Sequence, residues 1–259
     1  ARLDAQKAKA VEGVHAVLPI STGVAVVAEN TWAALQGRQR LEVEWDSGEA
    51  ARVSSESIRE QFRQRLSRPG SVARSEGDTE AALRRAAKTV EAVYEAPFQA
   101  HACMEPMNCT ADVGDKGCDV WVPTQAQTRT RETAMRITGL PAERVRVHTT
   151  FLGGGFGRRG EQDFVTDAVE LSQRLKWPIQ VIWSREDDIQ QDYYRPATYN
   201  RLRAGLGEDG RLLAWEHYLV GPSILSRVAP PAVKDGMDRT STEGAANIPY
   251  AIANIRVEY

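Results

Sequence analysis

Short blocks of apolar and polar residues alternate along the chain, and their spacing predicts a mixture of strands and helices. Two strands are expected over residues 14–29, on either side of a turn at Ser21-Thr22-Gly23. Thr31 is expected to cap a helix that runs to about Arg40, and apolar residues then alternate with acidic ones over 41–45, as in a half-buried strand. Residues 1–50 therefore predict a small α+β domain.

Residues 51–78 have a different character and are rich in Ser, Glu, Arg and Gly. Pro69-Gly70 and Gly77-Asp78 interrupt this segment, while apolar residues recur at every fourth position from Ile58 to Leu66. We interpret 51–78 as a linker between two domains, with one short helix inside it.

From residue 79 onward, predicted strands and helices alternate as far as Tyr259. Residues 164–175 place apolar side chains on one helical face, and Asp209-Gly210 predicts a hairpin turn between two longer strands. Ile255 begins a last strand that no partner segment follows, and several strands are expected to lack partners. Residues 79–259 therefore predict a mixed α/β domain that is incomplete at its C terminus, and the fold class of the chain is α+β.

Length and charge narrow the functions to consider. The 259 residues carry a formal net charge of -2, without the basic face that nucleic-acid binding needs, so we expect no nucleic-acid partner. No apolar run approaches the ~20 residues that cross a bilayer. Because the chain begins at Ala1 and stops at Tyr259 inside a predicted strand, we expect that both ends are cut.

The cysteines exclude several kinds of site. Cys103, Cys109 and Cys118 are odd in number and contain no Cys-x-x-Cys pair, which argues against a disulfide framework and against a zinc site. An iron–sulfur cluster would need about four thiolates. We therefore expect three structural thiols and no metal ligand in this chain.

The most informative segment is Phe151-Leu-Gly-Gly-Gly-Phe-Gly-Arg-Arg159, between a predicted strand and a predicted helix. Its glycines leave backbone N–H groups unshielded, permit positive φ and let a ligand approach the main chain. A helix start favours anions, and the charges of Arg158 and Arg159 suit phosphate oxygens. A tight turn with two exposed arginines would give the same pattern, so both interpretations stay open on the residues alone.

Gly155-x-Gly157-x-x-Gly160 in the same segment formally matches the dinucleotide fingerprint. A nicotinamide-binding fold needs a following strand that ends in an acid about 20 residues further on. The next predicted strand ends later, at Ser184-Arg185-Glu186, and the strand before the glycines contains the polar residues 148–150. Nicotinamide binding is therefore kept only as an alternative hypothesis.

A second segment places four side chains with polar or reactive atoms on alternating positions. They are Gln99, His101, Cys103 and Glu105. In an extended segment all four would point to one face of the strand. There they could form a ligand set, a catalytic cluster or a satisfied polar network.

The order of these segments resembles the large subunit of the molybdenum hydroxylases, the family of xanthine dehydrogenase and aldehyde oxidase. Gln-x-His-x-x-x-Glu at 99–105 precedes Pro-Thr-Gln at 123–125, which by itself predicts a helix start capped by its threonine. Leu-Gly-Gly-Gly-Phe-Gly at 152–157 and Ser-Arg-Glu-Asp-Asp at 184–188 follow. Residues 1–50 resemble the α/β-hammerhead domain of the family. The amino-acid sequence of the motifs is most similar to the isoquinoline 1-oxidoreductase β-subunit branch.

The resemblance implies that residues 79–259 are a first molybdopterin-binding domain, whose cofactor is molybdopterin with molybdenum, in the cytosine dinucleotide form. The cofactor contacts that it implies are Gln99, Gly153, Gly154, Gly155, Phe156, Gly157 and Arg158. Gln99 would lie near the molybdenum oxygen ligands, and Arg158 near the phosphate. The family's catalytic glutamate belongs to a later domain, so no catalytic residue is assigned in this chain.

The same resemblance implies hydroxylation of an N-heterocycle or an aldehyde, with water as the oxygen source. The implied partners are a small iron–sulfur subunit and the remainder of the large subunit, so the chain alone is expected to be inactive. The compartment is left open between the cytoplasm and the periplasm or inner membrane of a bacterium. The alternatives are a nicotinamide-dependent dehydrogenase and a non-catalytic binding domain on the same scaffold.

Overall fold

The computed structural model describes residues 2–259 as a mixture of thirteen strands and nine helices, which confirms the predicted mixed class. The strands are β1 (Arg2–Asp4), β2 (Val14–Ile20), β3 (Gly23–Ala28), β4 (Glu42–Glu44), β5 (Val72–Glu76), β6 (Lys88–Ala96), β7 (Asn108–Gly114), β8 (Gly117–Val122), β9 (Val145–Thr149), β10 (Ile179–Ile182), β11 (Thr198–Leu206), β12 (Leu212–Val220) and β13 (Ile255–Glu258). The helices are α1 (Gln6–Lys9), α2 (Thr31–Gln39), α3 (Ser55–Leu66), α4 (Thr79–Arg84), α5 (Gln127–Thr138), α6 (Asp163–Leu175), α7 (Arg185–Gln190), α8 (Leu225–Val228) and α9 (Arg239–Thr242).

The chain folds into two compact units, each built from two stretches of sequence. The first unit contains the residues up to Gly48 and Ala100–Tyr193, and the second contains Glu49–Gln99 and Tyr194–Tyr259. This division differs from the sequence-based boundaries, because the stretch interpreted as a linker contributes α3 and β5 to the second unit. Strand β5 pairs with β13 near the other end of the chain, a contact that local composition does not reveal.

A four-stranded sheet with the order β10-β7-β8-β9 forms the centre of the first unit. Strand β9 runs parallel to β8, and the other neighbours are antiparallel. Helix α6 packs on this sheet because its apolar face, with Phe164 and Ala168 fully buried, meets alternate residues of β7 such as Ala111. The helix ends at Lys176, which has a positive φ, just before Pro178.

The first unit also contains the hairpin β2–β3, the small pair β1–β4 and helix α2. Helix α2 begins at Thr31, one residue earlier than predicted, because Asn30 rather than Thr31 is its N-cap, and the Asn30 side chain accepts a hydrogen bond from the backbone of Ala33 at 2.9 Å. The hairpin region is tied to α6, since Thr22 donates to Asp167 and Ser21 donates to Glu170.

A five-stranded sheet with the order β5-β13-β12-β11-β6 forms the second unit. The expectation that several strands lack partners is not met at the strand starting at Ile255, because β13 is parallel to β12 and antiparallel to β5. Both partners precede β13 in the chain, and Ile255 and Val257 are fully buried between them. Within residues 2–259, no helix has the length and apolar character needed to cross a bilayer.

Candidate functional site

The glycine-rich segment forms a partly exposed bend between β9 and α6, in which Gly155 is buried and Gly154 is half-buried. Phe151 is fully exposed and Phe156 is 66% exposed. Three residues of the bend have positive φ, with +100° at Gly154, +51° at Phe156 and +102° at Gly157. A bulky residue such as phenylalanine is strained in the left-handed region, because its Cβ crowds the backbone. Such strain is common at functional sites, and it singles out this bend for closer study.

The backbone amides of the bend fall into two groups. Gly153 donates to Glu105 Oε2 at 2.7 Å, and Gly157 donates to Gln125 Oε1 at 3.0 Å. Between them, the three amides of residues 154–156 donate to no group among residues 2–259. Successive amides that lack an internal partner, on a partly exposed bend, can donate to the oxygens of a ligand.

Two of the glycines are required for contacts within the protein. A Cβ added at Gly153 would lie 2.4 Å from the Cβ of Glu105, and one added at Gly155 would lie 2.5 Å from Gln125 Oε1. Gly154 and Gly157 are different, since their positive φ values are the feature that favours glycine there. The segment thus needs glycine partly for close packing and partly for backbone shape.

Arg158 lies inside the protein, with a side chain that is 1% exposed. Its terminal nitrogens donate to both carboxylate oxygens of Asp163, at 2.9 and 2.7 Å, and its Nε lies 3.0 Å from Asp192 without hydrogen-bond geometry. Burial lowers the pKa of Arg158, but the hydrogen bonds and charge of Asp163 outweigh it, so the pKa lies above its ordinary value. The expectation that Arg158 lies near a phosphate is not met in this structure, because its guanidinium is already engaged with buried carboxylates.

Arg159 is completely buried and connects the three segments that the sequence singled out. Its Nε donates to the carbonyl of Gly154 at 2.7 Å, and its Nη2 donates to the carbonyl of Glu105 at 2.6 Å. Nη2 also lies 3.0 Å from the Glu105 carboxylate, and Nη1 donates to the carbonyl of Pro123 at 3.4 Å. Arg159 therefore fixes the bend against residues of two distant segments.

The segment that carries His101 is not an extended strand, so its polar side chains do not share one face as expected. A positive φ of +46° at Ala102 turns the chain. His101 consequently contacts Asp192, whereas Cys103 Sγ donates to the carbonyl of Gly155 at 3.6 Å. Gln99 belongs to the second unit, where its backbone exchanges two hydrogen bonds with Arg195.

Gln125 is a side chain of the bend that the sequence interpretation missed. The sequence pattern predicts a helix start at this position, but α5 begins two residues later, at Gln127. The Gln125 backbone donates to the carbonyl of Arg159 at 3.0 Å, while its Oε1 receives the Gly157 amide. A signal was present in the sequence, since Gln125 follows closely after the end of the buried strand β8.

The three cysteines are buried and form no disulfide with one another. Burial raises the pKa of Cys118 to about 11 and raises that of Cys109 further, which keeps both thiols protonated near neutral pH. Among residues 2–259, no group of three or more His, Cys, Asp or Glu side chains is arranged to hold a metal ion.

Comparison with known proteins identifies the family. Residues 62–259 match the molybdopterin cofactor-binding domain. The chain is 31% identical to the isoquinoline 1-oxidoreductase subunit beta of Brevundimonas diminuta, over 88% of this chain and 31% of that protein. It is 28% identical to a probable xanthine dehydrogenase subunit of Bacillus subtilis, over 90% of this chain and 31% of that protein. The chain therefore belongs to the molybdopterin-binding family of the molybdenum hydroxylases, which confirms the resemblance seen in the sequence.

Solved structures show the same fold. The chain superimposes on an aldehyde oxidoreductase from Desulfovibrio gigas with a TM-score of 0.70, at 16% identity, over 99% of this chain and 32% of that one. It superimposes on quinoline 2-oxidoreductase from Pseudomonas putida with a TM-score of 0.61, at 17% identity, over 84% of this chain and 33% of that one. The chain spans about a third of the length of the relatives that it matches.

Proposed function

We propose that this chain supplies one side of the molybdopterin site of an oxidoreductase that hydroxylates an N-heterocycle or an aldehyde, with water as the oxygen source. The observation that carries the proposal is the bend at residues 154–156, where three amides lack an internal partner. An oxygen-rich ligand such as molybdopterin fits this bend, since the amides are donors and Gly154 and Gly157 place no side chain over them.

The chain's own residues bind and orient the ligand. The amides of Gly154, Gly155 and Phe156 donate to its oxygens, and the Gln125 side chain fixes the bend by accepting from Gly157. Gly153, Gly157 and Gln99 remain proposed contacts, whereas Arg158 supports the bend from the interior. When bound, molybdopterin with its molybdenum supplies the oxidation chemistry, and the protein supplies position and electrostatics.

The form of the cofactor, the partner subunits and the compartment are proposed from the family that the chain resembles. We propose the cytosine dinucleotide form of the cofactor, a partner subunit that carries iron–sulfur clusters, and a remainder of the large subunit that completes the site. No catalytic base is assigned to this chain, so the chain by itself is proposed to be inactive. The compartment is proposed to be the cytoplasm, or the periplasm or inner membrane, of a bacterium.

The test uses the complete protein that carries this chain, purified with its partners. Molybdenum measured by mass spectrometry and released pterin measured by fluorescence are expected in equal amounts. Oxidation of an N-heterocycle or an aldehyde in ¹⁸O-labelled water is expected to place the label in the product. A protein without molybdenum, whose tryptophan fluorescence is quenched by NAD, would overturn the proposal in favour of the nicotinamide alternative.

Gly160→Ala is the matched control for this test. Gly160 closes the formal dinucleotide fingerprint, yet it has no positive φ and nothing lies within 4 Å of an added Cβ. The variant is therefore expected to keep its molybdenum and its activity. A variant that loses both and also loses NAD-induced quenching would indicate that the fingerprint is the true ligand site.

A further inference from the structure

His101 is held in one orientation next to the bend. Its backbone amide donates to Asp192, and its ring Nδ1 lies 2.9 Å from each oxygen of the same carboxylate. Asp192 is 1% exposed and lies 3.0 Å from the Nε of Arg158, which is equally buried. Because the carboxylate is fixed on both sides, the direction of the imidazole ring is fixed with it.

The contacts with Asp192 use Nδ1 and leave the other ring nitrogen, Nε2, on the opposite edge of a ring whose side chain is only 9% exposed. Nε2 faces Gly157, since a Cβ built there would lie 3.9 Å from Nε2 and within 4 Å of no other atom beyond its chain neighbours.

The hydrogen-bonding character of this nitrogen follows from Asp192. A carboxylate at Nδ1 favours the tautomer with its proton on Nδ1, which leaves a lone pair on Nε2. The bend therefore combines three N–H donors at 154–156 with one acceptor at His101. That combination suits a ligand with oxygen acceptors beside an N–H or O–H donor.

We infer that His101 is a further ligand-contacting residue, whose Nε2 accepts a hydrogen bond from the molybdopterin held at the bend. The inference rests on the proposed function and extends it, because it adds a side chain to a site built otherwise from backbone and Gln125. It also gives the Asp192 carboxylate a role, as the positioning residue that sets the tautomer of His101.

Two substitutions separate the ring nitrogens. His101→Asn places an amide near the position of Nδ1, so it can keep the Asp192 contact while it lacks Nε2. His101→Gln places its amide near the position of Nε2 and loses the contact at Nδ1. Molybdenum and pterin content of the complete protein, together with the urea midpoint of unfolding, are measured for wild type and both variants.

We expect His101→Asn to unfold like wild type and to hold on the order of tenfold less molybdenum and pterin, as for a lost ligand-orienting contact. We expect His101→Gln to hold most of the molybdenum and pterin that the wild-type protein holds. The control is His148→Asn, because His148 contacts Asp119 at 2.7 Å through its Nε2 on strand β9, and that variant is expected to stay fully loaded.

The remaining outcomes contradict the inference. Full loading of His101→Asn would overturn it while leaving the proposed function intact. Loss of molybdenum and pterin in both variants, with lowered unfolding midpoints, would show that His101 has a structural role and would overturn the inference equally. A wild-type protein without molybdenum or pterin would overturn the proposed function, and the inference with it.

Discussion

Two neighbouring stretches of one short segment have opposite environments. Residues 151–157 are largely open apart from the buried Gly155, with exposed phenylalanines and three amides that lack an internal partner. Arg158 and Arg159, which follow at once, are at most 1% exposed. The charged residues are thus inside the protein and the apolar rings outside, the reverse of the usual distribution.

The difference teaches that charge beside a glycine-rich bend is not evidence of a phosphate site. A buried guanidinium is stable only with carboxylate and carbonyl partners, and here Asp163, Glu105 and Gly154 supply them. Open backbone amides need no such compensation, because water can satisfy them until a ligand replaces it. The arginines therefore shape the bend, and the bare backbone is the part that we propose binds the ligand.

The largest expected effect tests the buried half of this comparison. Arg158→Met keeps the side-chain length but leaves the carboxylates of Asp163 and Asp192 without their cation, so the free energy of unfolding should fall by about 3–5 kcal/mol in urea denaturation. Arg146→Met is the control, since Arg146 pairs with Asp119 in an exposed position and should contribute about 1 kcal/mol or less. Equal effects of the two substitutions would contradict the assignment of Arg158 as an anchor.

The next effect concerns Asp167, a buried carboxyl group on α6 that accepts hydrogen bonds from Thr22 and Trp183. Burial raises the pKa of Asp167 from 3.8 to about 6. Because the folded pKa lies above the unfolded value, this contribution to stability is fully present below pH 3.8 and is lost as the pH rises through about 6. The loss is about 3 kcal/mol.

Urea unfolding of wild type and Asp167→Asn, measured at intervals from pH 4 to pH 7, checks this contribution. The difference in unfolding free energy between the two proteins isolates Asp167 from the other carboxylates, and it should shift in favour of Asp167→Asn as the pH rises. A difference that is independent of pH would show that Asp167 is charged and well solvated in the folded protein.

A smaller effect tests the boundary between the two halves of the segment. Gly155→Ala would push the Gln125 side chain away and break its bond from Gly157, at an expected cost of about 1–2 kcal/mol in unfolding free energy. The molybdenum content should fall as well. Gly160→Ala meets no neighbour and should change stability by no more than about 0.5 kcal/mol. Similar values for both would mean that Gln125 does not fix the bend.

The smallest effect tests the open half. Phe156→Gly relieves a left-handed conformation at an exposed position, so we expect a gain of about 0.5–1 kcal/mol in unfolding free energy. Phe151→Gly, at the exposed position without a positive φ, should produce no gain. A loss of stability in Phe156→Gly would show that the ring, rather than the backbone shape, matters for folding.

Much of the fold could be predicted because it depends on local spacing. The apolar positions of 164–175 predicted α6, which is observed at Asp163–Leu175, and the glycine segment was located as a bend between a strand and a helix. The role of Gln125 and the partners of β13 could not be predicted, since they depend on which distant segments meet. The sequence carries no direct signal for such contacts.

The amino-acid sequence by itself determined the family, the mixture of strands and helices, and the place where a ligand can reach bare backbone. Only the tertiary structure decided that Arg158 and Arg159 point inward, that His101 faces Gly157, and that Gln125 supports the bend. The physical reason is that periodicity and glycine content act within a few residues. The direction of a charged side chain depends instead on counterions and carbonyls that folding brings from elsewhere in the chain.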